Sequence, residues 1–87
     1  MNVAIEHYTG RSTDAHRVSI GGASIWFSYR TPIAFAYNGE TVVRENDWST
    51  TTGRHLNEID GGDKSSRVSG DEFIRQLSAL RVVIVED

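Results

Sequence analysis

Y-R-T-P-I-A-F-A-Y-N-G-E-T-V-V-R-E-N-D-W-S-T-T-T-G-R-H-L, residues 29–56, is the stretch whose reading decides the fold. Asn38-Gly39 is a hairpin signal, because a type I′ turn places both central residues at positive φ, which Asn and Gly tolerate. Counting outward from that pair sets Phe35 against Val42 on one face and Ala34 against Val43 on the other. Residues 33–37 and 40–44 then read as adjacent antiparallel strands. Pro32 has no amide to donate to a ladder, so it belongs at a strand start or edge. After 45–47 the pattern changes. Trp48-Ser49-Thr50-Thr51-Thr52 offers several N-cap hydroxyls, and Leu56 and Ile59, spaced i, i+3, mark one face of a short helix that stops at Gly61-Gly62.

Working toward the N-terminus, Val3 and Ile5 alternate with Ala4 and Glu6, a half-buried strand over 2–8, and the polar run 9–15 reads as a loop. Residues 16–20 form a second strand, and Gly21-Gly22 is a two-residue turn that leads into a third over 23–29. Ile25, Phe27 and Tyr29 make its core face, opposite Ser24, Trp26 and Ser28. A Trp exposed between serines would mark a contact surface.

Toward the C-terminus, 60–67 reads as a polar surface loop. Ser69 with Glu72 three residues on is a capping box, and Val68 against Phe73 fits a hydrophobic staple. Phe73, Ile74, Leu77 and Leu80 then give one apolar stripe that should lie across the sheet. Val82-Val83-Ile84-Val85 is β-branched and reads as a last strand. The expected architecture is a single α+β domain over 1–87, an antiparallel four- to five-stranded β-meander with two short helices packed on one face.

A chain of 87 residues buries only about 60–65% of the surface that its unfolded form exposes, so its core is thin. It contains no cysteine, which removes disulfides and thiolate chemistry together. No segment approaches the ~20 apolar residues of a membrane span, and the opening M-N-V-A-I-E-H-Y lacks a basic, then apolar, leader pattern. The expectation is a soluble, cytoplasmic protein with no membrane partner. Nine Lys+Arg against twelve Asp+Glu give a formal charge of −3, the wrong sign for a dedicated nucleic-acid binder. Eight of the nine basic residues are Arg, however, and Arg suits planar contacts to carboxylate or phosphate.

The best candidate site is the helix start at Ser49, Thr51, Thr52, Arg54 and His55, where unpaired amides, hydroxyls and a guanidinium could hold an anion. Ordinary capping accounts for the same hydroxyls without a ligand. His7, His16 and His55 lie at no metal-ligand spacing, and neither metal nor cofactor is expected. Ser49 or Thr52 with His55 and Asp47 makes a triad only on paper, since no nucleophile elbow is present, so the chain does not read as an enzyme. Trp26, Arg30, Trp48 and Arg54 are candidate contact anchors, because Trp and Arg dominate interface hot spots.

The phrases S-Y-R-T-P-I-A-F at 28–35 and V-V-R-E-N-D-W-S-T-T-T-G-R-H-L-N at 42–57, with the opening H-Y-T-G-R-S-T, resemble a family of small uncharacterised bacteriophage proteins of actinobacteria, mycobacteriophages among them. The resemblance carries no catalytic residues. It implies a phage-encoded protein in an infected cell that binds a host or phage macromolecule. The expected partner is a host protein, with nucleic acid or phosphate at the residue 49–55 helix start as the alternative and a homodimer through an edge strand also open.

Overall fold

The computed structural model describes residues 3–7, 15–48 and 50–80. Among these residues five strands, β1 (Val3–His7), β2 (Ala15–Ile20), β3 (Ala23–Ser28), β4 (Thr31–Tyr37) and β5 (Glu40–Val43), lie in sequence order in one sheet, each antiparallel to the next. Two helices follow, α1 (Thr50–Asp60) and α2 (Gly70–Ala79), with a 3-10 turn at Lys64–Ser66 between them. The α+β meander expected from the sequence is present. The expected strand at 82–85, residues 9–14 of the expected 9–15 loop and the Ser49 cap lie outside the described residues, and Ala15, expected to end that loop, begins β2.

The hairpins form where the turn chemistry puts them. Asn38 and Gly39 sit at φ 53° and 80°, and β4 meets β5 with Phe35 opposite Val42 and Ala34 opposite Val43. Gly21 and Gly22 make the β2–β3 turn at φ 53° and 86°. The third turn, expected over 30–32, falls at Tyr29 and Arg30. β3 ends at Ser28, one residue short of the expected end, because Tyr29 takes φ 57°, a region that side chains other than Gly and Asn rarely enter.

Pro32 lies inside β4 rather than before it, and a bulge accommodates it. Trp26 pairs with Ala34 and Phe27 with Pro32, so Ile33 is an extra residue on the β4 side. The bulge has a packing consequence: Ile33 and Ala34, neighbours in sequence, both enter one buried cluster with Val43 and Leu56.

That cluster corrects the expected placement of the helices. Leu56 and Ile59 of α1 pack with Ala34, Val43 and Trp26, whereas Phe73 and Leu77 of α2 pack with Ile25 and Phe35. Ile25 pairs with Phe35 and Trp26 with Ala34 across β3 and β4, so the two sets belong to opposite faces of the sheet. One helix therefore covers each face. The reason is in β3 and β4, where both alternating sets are apolar enough to need cover: Ile25 and Phe35 on one side, Trp26, Ile33 and Ala34 on the other.

Both helix ends use the devices their sequences advertise. Ser69 accepts a hydrogen bond from the Glu72 amide at 3.2 Å, and Val68 packs against the cluster containing Phe73. The Glu72 carboxylate accepts from Arg75 Nε at 3.0 Å and Gln76 Nε2 at 2.6 Å, turning down the helix. Ile74, expected in the apolar stripe, is 48% exposed. It stands about 100° round from Phe73, beyond the width of the face that a single helix presents to the sheet. At the end of α1 the Gly61 amide donates to Asn57 O at 2.8 Å with Gly61 at φ 67°, a left-handed cap.

Two attachments hold the segment between the helices. Val68 bridges in parallel to Arg44, with Val68 N donating to Val43 O at 2.8 Å and Glu45 N to Val68 O at 2.7 Å, which covers part of the β5 edge. Arg67 donates through Nε to Asp60 Oδ2 at 2.7 Å and through Nη2 to Asp60 Oδ1 at 2.9 Å, clamping the segment to the end of α1. The Arg67 hydrogen bonds hold the Asp60 carboxyl below its ordinary range, with help from the Gly62 amide.

A depressed carboxyl pKa contributes stability that is complete above about pH 4 and is lost as pH falls through the folded-state value. Acid titration of unfolding free energy should show this loss below about pH 4. Asp60→Asn should lower stability at neutral pH by about 1–3 kcal/mol and flatten that acid limb. An unchanged acid limb would mean that the clamp does not hold the segment.

Candidate functional site

Helix α1 presents two stripes, one turned in and one turned out. Thr52, His55, Leu56 and Ile59 follow i, i+3, i+4, i+7 and face the sheet; Thr52, His55 and Leu56 are buried and Ile59 partly so. The next stripe round, Thr50, Gly53, Arg54 and Asn57, follows the same spacing and lines an open cleft of about 590 Å³. The cleft is completed by Glu45 and Asn46 after β5, and by Lys64 and Arg67 from the segment after α1. How α1 is rotated against the sheet therefore decides what the cleft contains.

A buried polar network sets that rotation. Ser28 Oγ at the end of β3 lies 2.6 Å from His55 Nδ1 and 3.2 Å from Thr52 Oγ1. Ser28 is 2% exposed and His55 3%. The chain of bonds closes with either His55 tautomer: Ser28 donates to a bare Nδ1 and accepts from Thr52, or accepts from Nδ1–H and donates to Thr52. A serine 2.6 Å from an imidazole is also the spacing of a nucleophile and its base. With Ser28 and His55 both buried, the pair is closed to a substrate in this conformation. The Tyr29 ring lies over the network, 6.2 Å from the His55 ring and tilted by 50°. The positive φ of Tyr29 is thus placed against the same histidine.

The corner beyond β5 is built around Arg44. Its guanidinium sits 4.5 Å from the Trp48 ring and 5.4 Å from the Phe73 ring, with Nη2 donating to Asp47 Oδ2 at 3.4 Å. A Cβ at Gly70 would run into the same guanidinium, so the glycine at the start of α2 makes room for it. The Trp48 amide donates to Asn46 Oδ1 at 3.0 Å, an Asx turn that fixes the backbone. Trp48 nevertheless remains 45% exposed. A Cβ at Gly53 would come 3.1 Å from Asn46 Nδ2, so glycine allows the segment at 45–46 to lie close along α1.

The residues singled out in the sequence divide accordingly. Trp48 and Arg54 are exposed on the corner and cleft. Thr51 is half-buried, and Thr52 and His55 belong to the interior network. Trp26 is partly buried against the Ile33–Leu56 cluster, with the Arg17 guanidinium 5.8 Å from its ring, and so is not the exposed Trp of an uncovered face. Arg30 is exposed in the β3–β4 turn and does not line the cleft. Ser49 lies outside the described residues. Asp47 pairs with Arg44, and His55 with Ser28. Among the described residues no three His, Cys, Asp or Glu side chains cluster as metal ligands, and no helix is long and apolar enough to cross a membrane.

Asn46, Asn57, Lys64 and Arg67 were missed as cleft residues and Ser28 as the partner of His55. The spacing 52, 55, 56, 59 was a signal for the inward set, because it places a hydroxyl and an imidazole beside Leu56. Nothing local pointed to Lys64 or Arg67, which reach the cleft through the Val68 bridge and the Asp60 clamp.

Ser28→Ala should cost about 1–3 kcal/mol in urea unfolding, since it leaves buried His55 Nδ1 and Thr52 Oγ1 short of a partner. Glu58→Ala, on the exposed side of α1, should cost under about 0.5 kcal/mol. Equal costs would contradict the role given to the network.

No curated protein and no solved structure matches the chain. A family model matches residues 3–75, most of the chain, and the protein belongs to that family of unknown function, DUF8033.

Proposed function

We propose that this is a non-enzymatic binding protein, phage-encoded and acting in the cytoplasm of an infected cell, that works by direct contact with a host protein through the corner formed by Trp48 and the α1 cleft. The observation that carries this reading is the condition of Trp48. Trp48 is 45% exposed, yet its ring is stacked on Arg44, whose own side chain is only 11% exposed, and the Asn46 turn fixes its backbone. A large ring held in place before binding loses little conformational entropy on contact, and such Trp residues are the ones that become interface hot spots. The adjoining cleft gives the rim of the contact a concave polar surface.

The phage origin in this reading rests on the likeness of the phrases at 28–35 and 42–57. The preference for a protein over nucleic acid rests on the formal charge of −3, which opposes a polyphosphate.

Tagged protein incubated with nuclease-treated actinobacterial host lysate should retain a discrete host protein. Trp48→Ala should weaken that capture at least tenfold, with far-ultraviolet circular dichroism unchanged. Ile5→Ala, which removes an exposed apolar side chain from β1, at the edge of the sheet opposite β5, should leave capture intact. Retention that disappears with nuclease treatment, or that survives Trp48→Ala, would contradict the reading.

A further inference from the structure

The cleft beside Trp48 has an unusual balance of donors and acceptors. Arg54 projects from α1 and Lys64 from the 3-10 turn, both are exposed, and among the described residues neither is held in an ion pair. Arg67 lines the same wall with its guanidinium fixed by Asp60 and by Asn57 Oδ1, which accepts from Arg67 Nη2 at 3.0 Å. Asn57 Oδ1 is thus engaged by Arg67, and the Asn57 amide adds an NH2 donor to the wall. Against these stands one carboxylate in the lining, Glu45. Among the described residues the wall is richer in donors than in acceptors and holds two cations outside any ion pair, so its complement is an acceptor-rich, negatively charged group.

From this we infer that the cleft is the receptor for acidic side chains of the protein partner, an Asp/Glu-containing peptide segment whose carboxylates meet Arg54 and Lys64 while a neighbouring apolar group packs on Trp48. The inference rests on the protein-binding reading above and names the chemistry of the partner's contact. Charge capacity decides between a peptide and a nucleic acid. Arg54 and Lys64 can neutralise about two carboxylates, but Glu45 in the wall, Asp63 beside Lys64 and the net charge of −3 oppose a run of phosphates. The volume of about 590 Å³ is that of a site for a short segment rather than for a lone ion.

Fluorescence anisotropy of fluorescein-labelled hexaglutamate with purified protein tests the inference, beside labelled decathymidylate and competition by inorganic phosphate. Hexaglutamate should bind, should weaken at least tenfold in Arg54→Gln/Lys64→Gln, and should weaken as sodium chloride rises from 20 to 200 mM. Arg75→Gln removes a positive charge from α2, away from the cleft, and should leave binding within twofold. Equal losses in Arg75→Gln and the double variant would reduce the effect to overall charge and overturn the inference. Decathymidylate bound more tightly than hexaglutamate, with the same dependence on Arg54 and Lys64, would overturn it in favour of nucleic acid. Absence of hexaglutamate binding at 1 mM would overturn it outright. If the host protein is still captured in a Trp48-dependent way while hexaglutamate fails to bind, acidic recognition falls and the protein-binding reading stands. If hexaglutamate binds the cleft but no host protein is captured, the cleft chemistry stands and that reading falls.

Discussion

The hydrogen bond between Ser28 and His55 is the constraint on which the setting of α1, and with it the cleft, depends. A bond of this kind adds only about 1 kcal/mol net to stability, but leaving a buried imidazole nitrogen unpaired costs more. The consequence is directional. Hydrophobic burial of Leu56 and Ile59 would accept a range of rotations of α1 on the sheet, whereas the 2.6 Å contact to the end of β3 accepts very few. Fixing His55 inward turns Arg54 outward, since the two are about 100° apart on the helix. The composition of the cleft is thus set by a polar contact on the opposite side of the helix.

A second constraint is that the sheet has two faces to cover and a short chain with which to cover them. The bulge at Ile33 is part of the solution, because it sends two consecutive residues of β4 into the α1 cluster. On the far face α2 needs little more than Phe73, Leu77 and the tilted contact between Phe35 and Phe73, whose ring centroids lie 5.6 Å apart. Between the helices the chain returns along the β5 edge, held by the Val68 bridge and the Asp60–Arg67 clamp. That return path brings Lys64 and Arg67 opposite α1 and closes the cleft.

The parts of the fold that were legible in the sequence are those fixed by local chemistry. Asn38-Gly39 determined the β4–β5 register to the residue, and Ser69 with Val68 and Phe73 located the start of α2. What was not legible depended on contacts distant in sequence. Tyr29 at positive φ has no turn signature of its own, and its conformation goes with the imidazole beneath it. The placement of the helices on opposite faces could not be read without weighing Trp26, Ile33 and Ala34 as a second core, which the alternation of β3 alone did not demand. Within the candidate site, Trp48 and Arg54 were visible as exposed types near a helix start. His55 and Thr52 were assigned to the same surface because their hydroxyl and imidazole chemistry suits a ligand as well as it suits Ser28.

The central claim is that the Ser28 contact holds α1, and with it the cleft, independently of the α2 side of the sheet. Amide hydrogen exchange followed residue by residue in the wild type and in Ser28→Ala tests it most directly, because local opening reports which elements share a constraint. The account predicts that protection falls together over Thr50–Asp60 and Lys64–Ser66 while Gly70–Ala79 keeps its wild-type rates. A loss spread evenly over both helices, or none in α1, would contradict it.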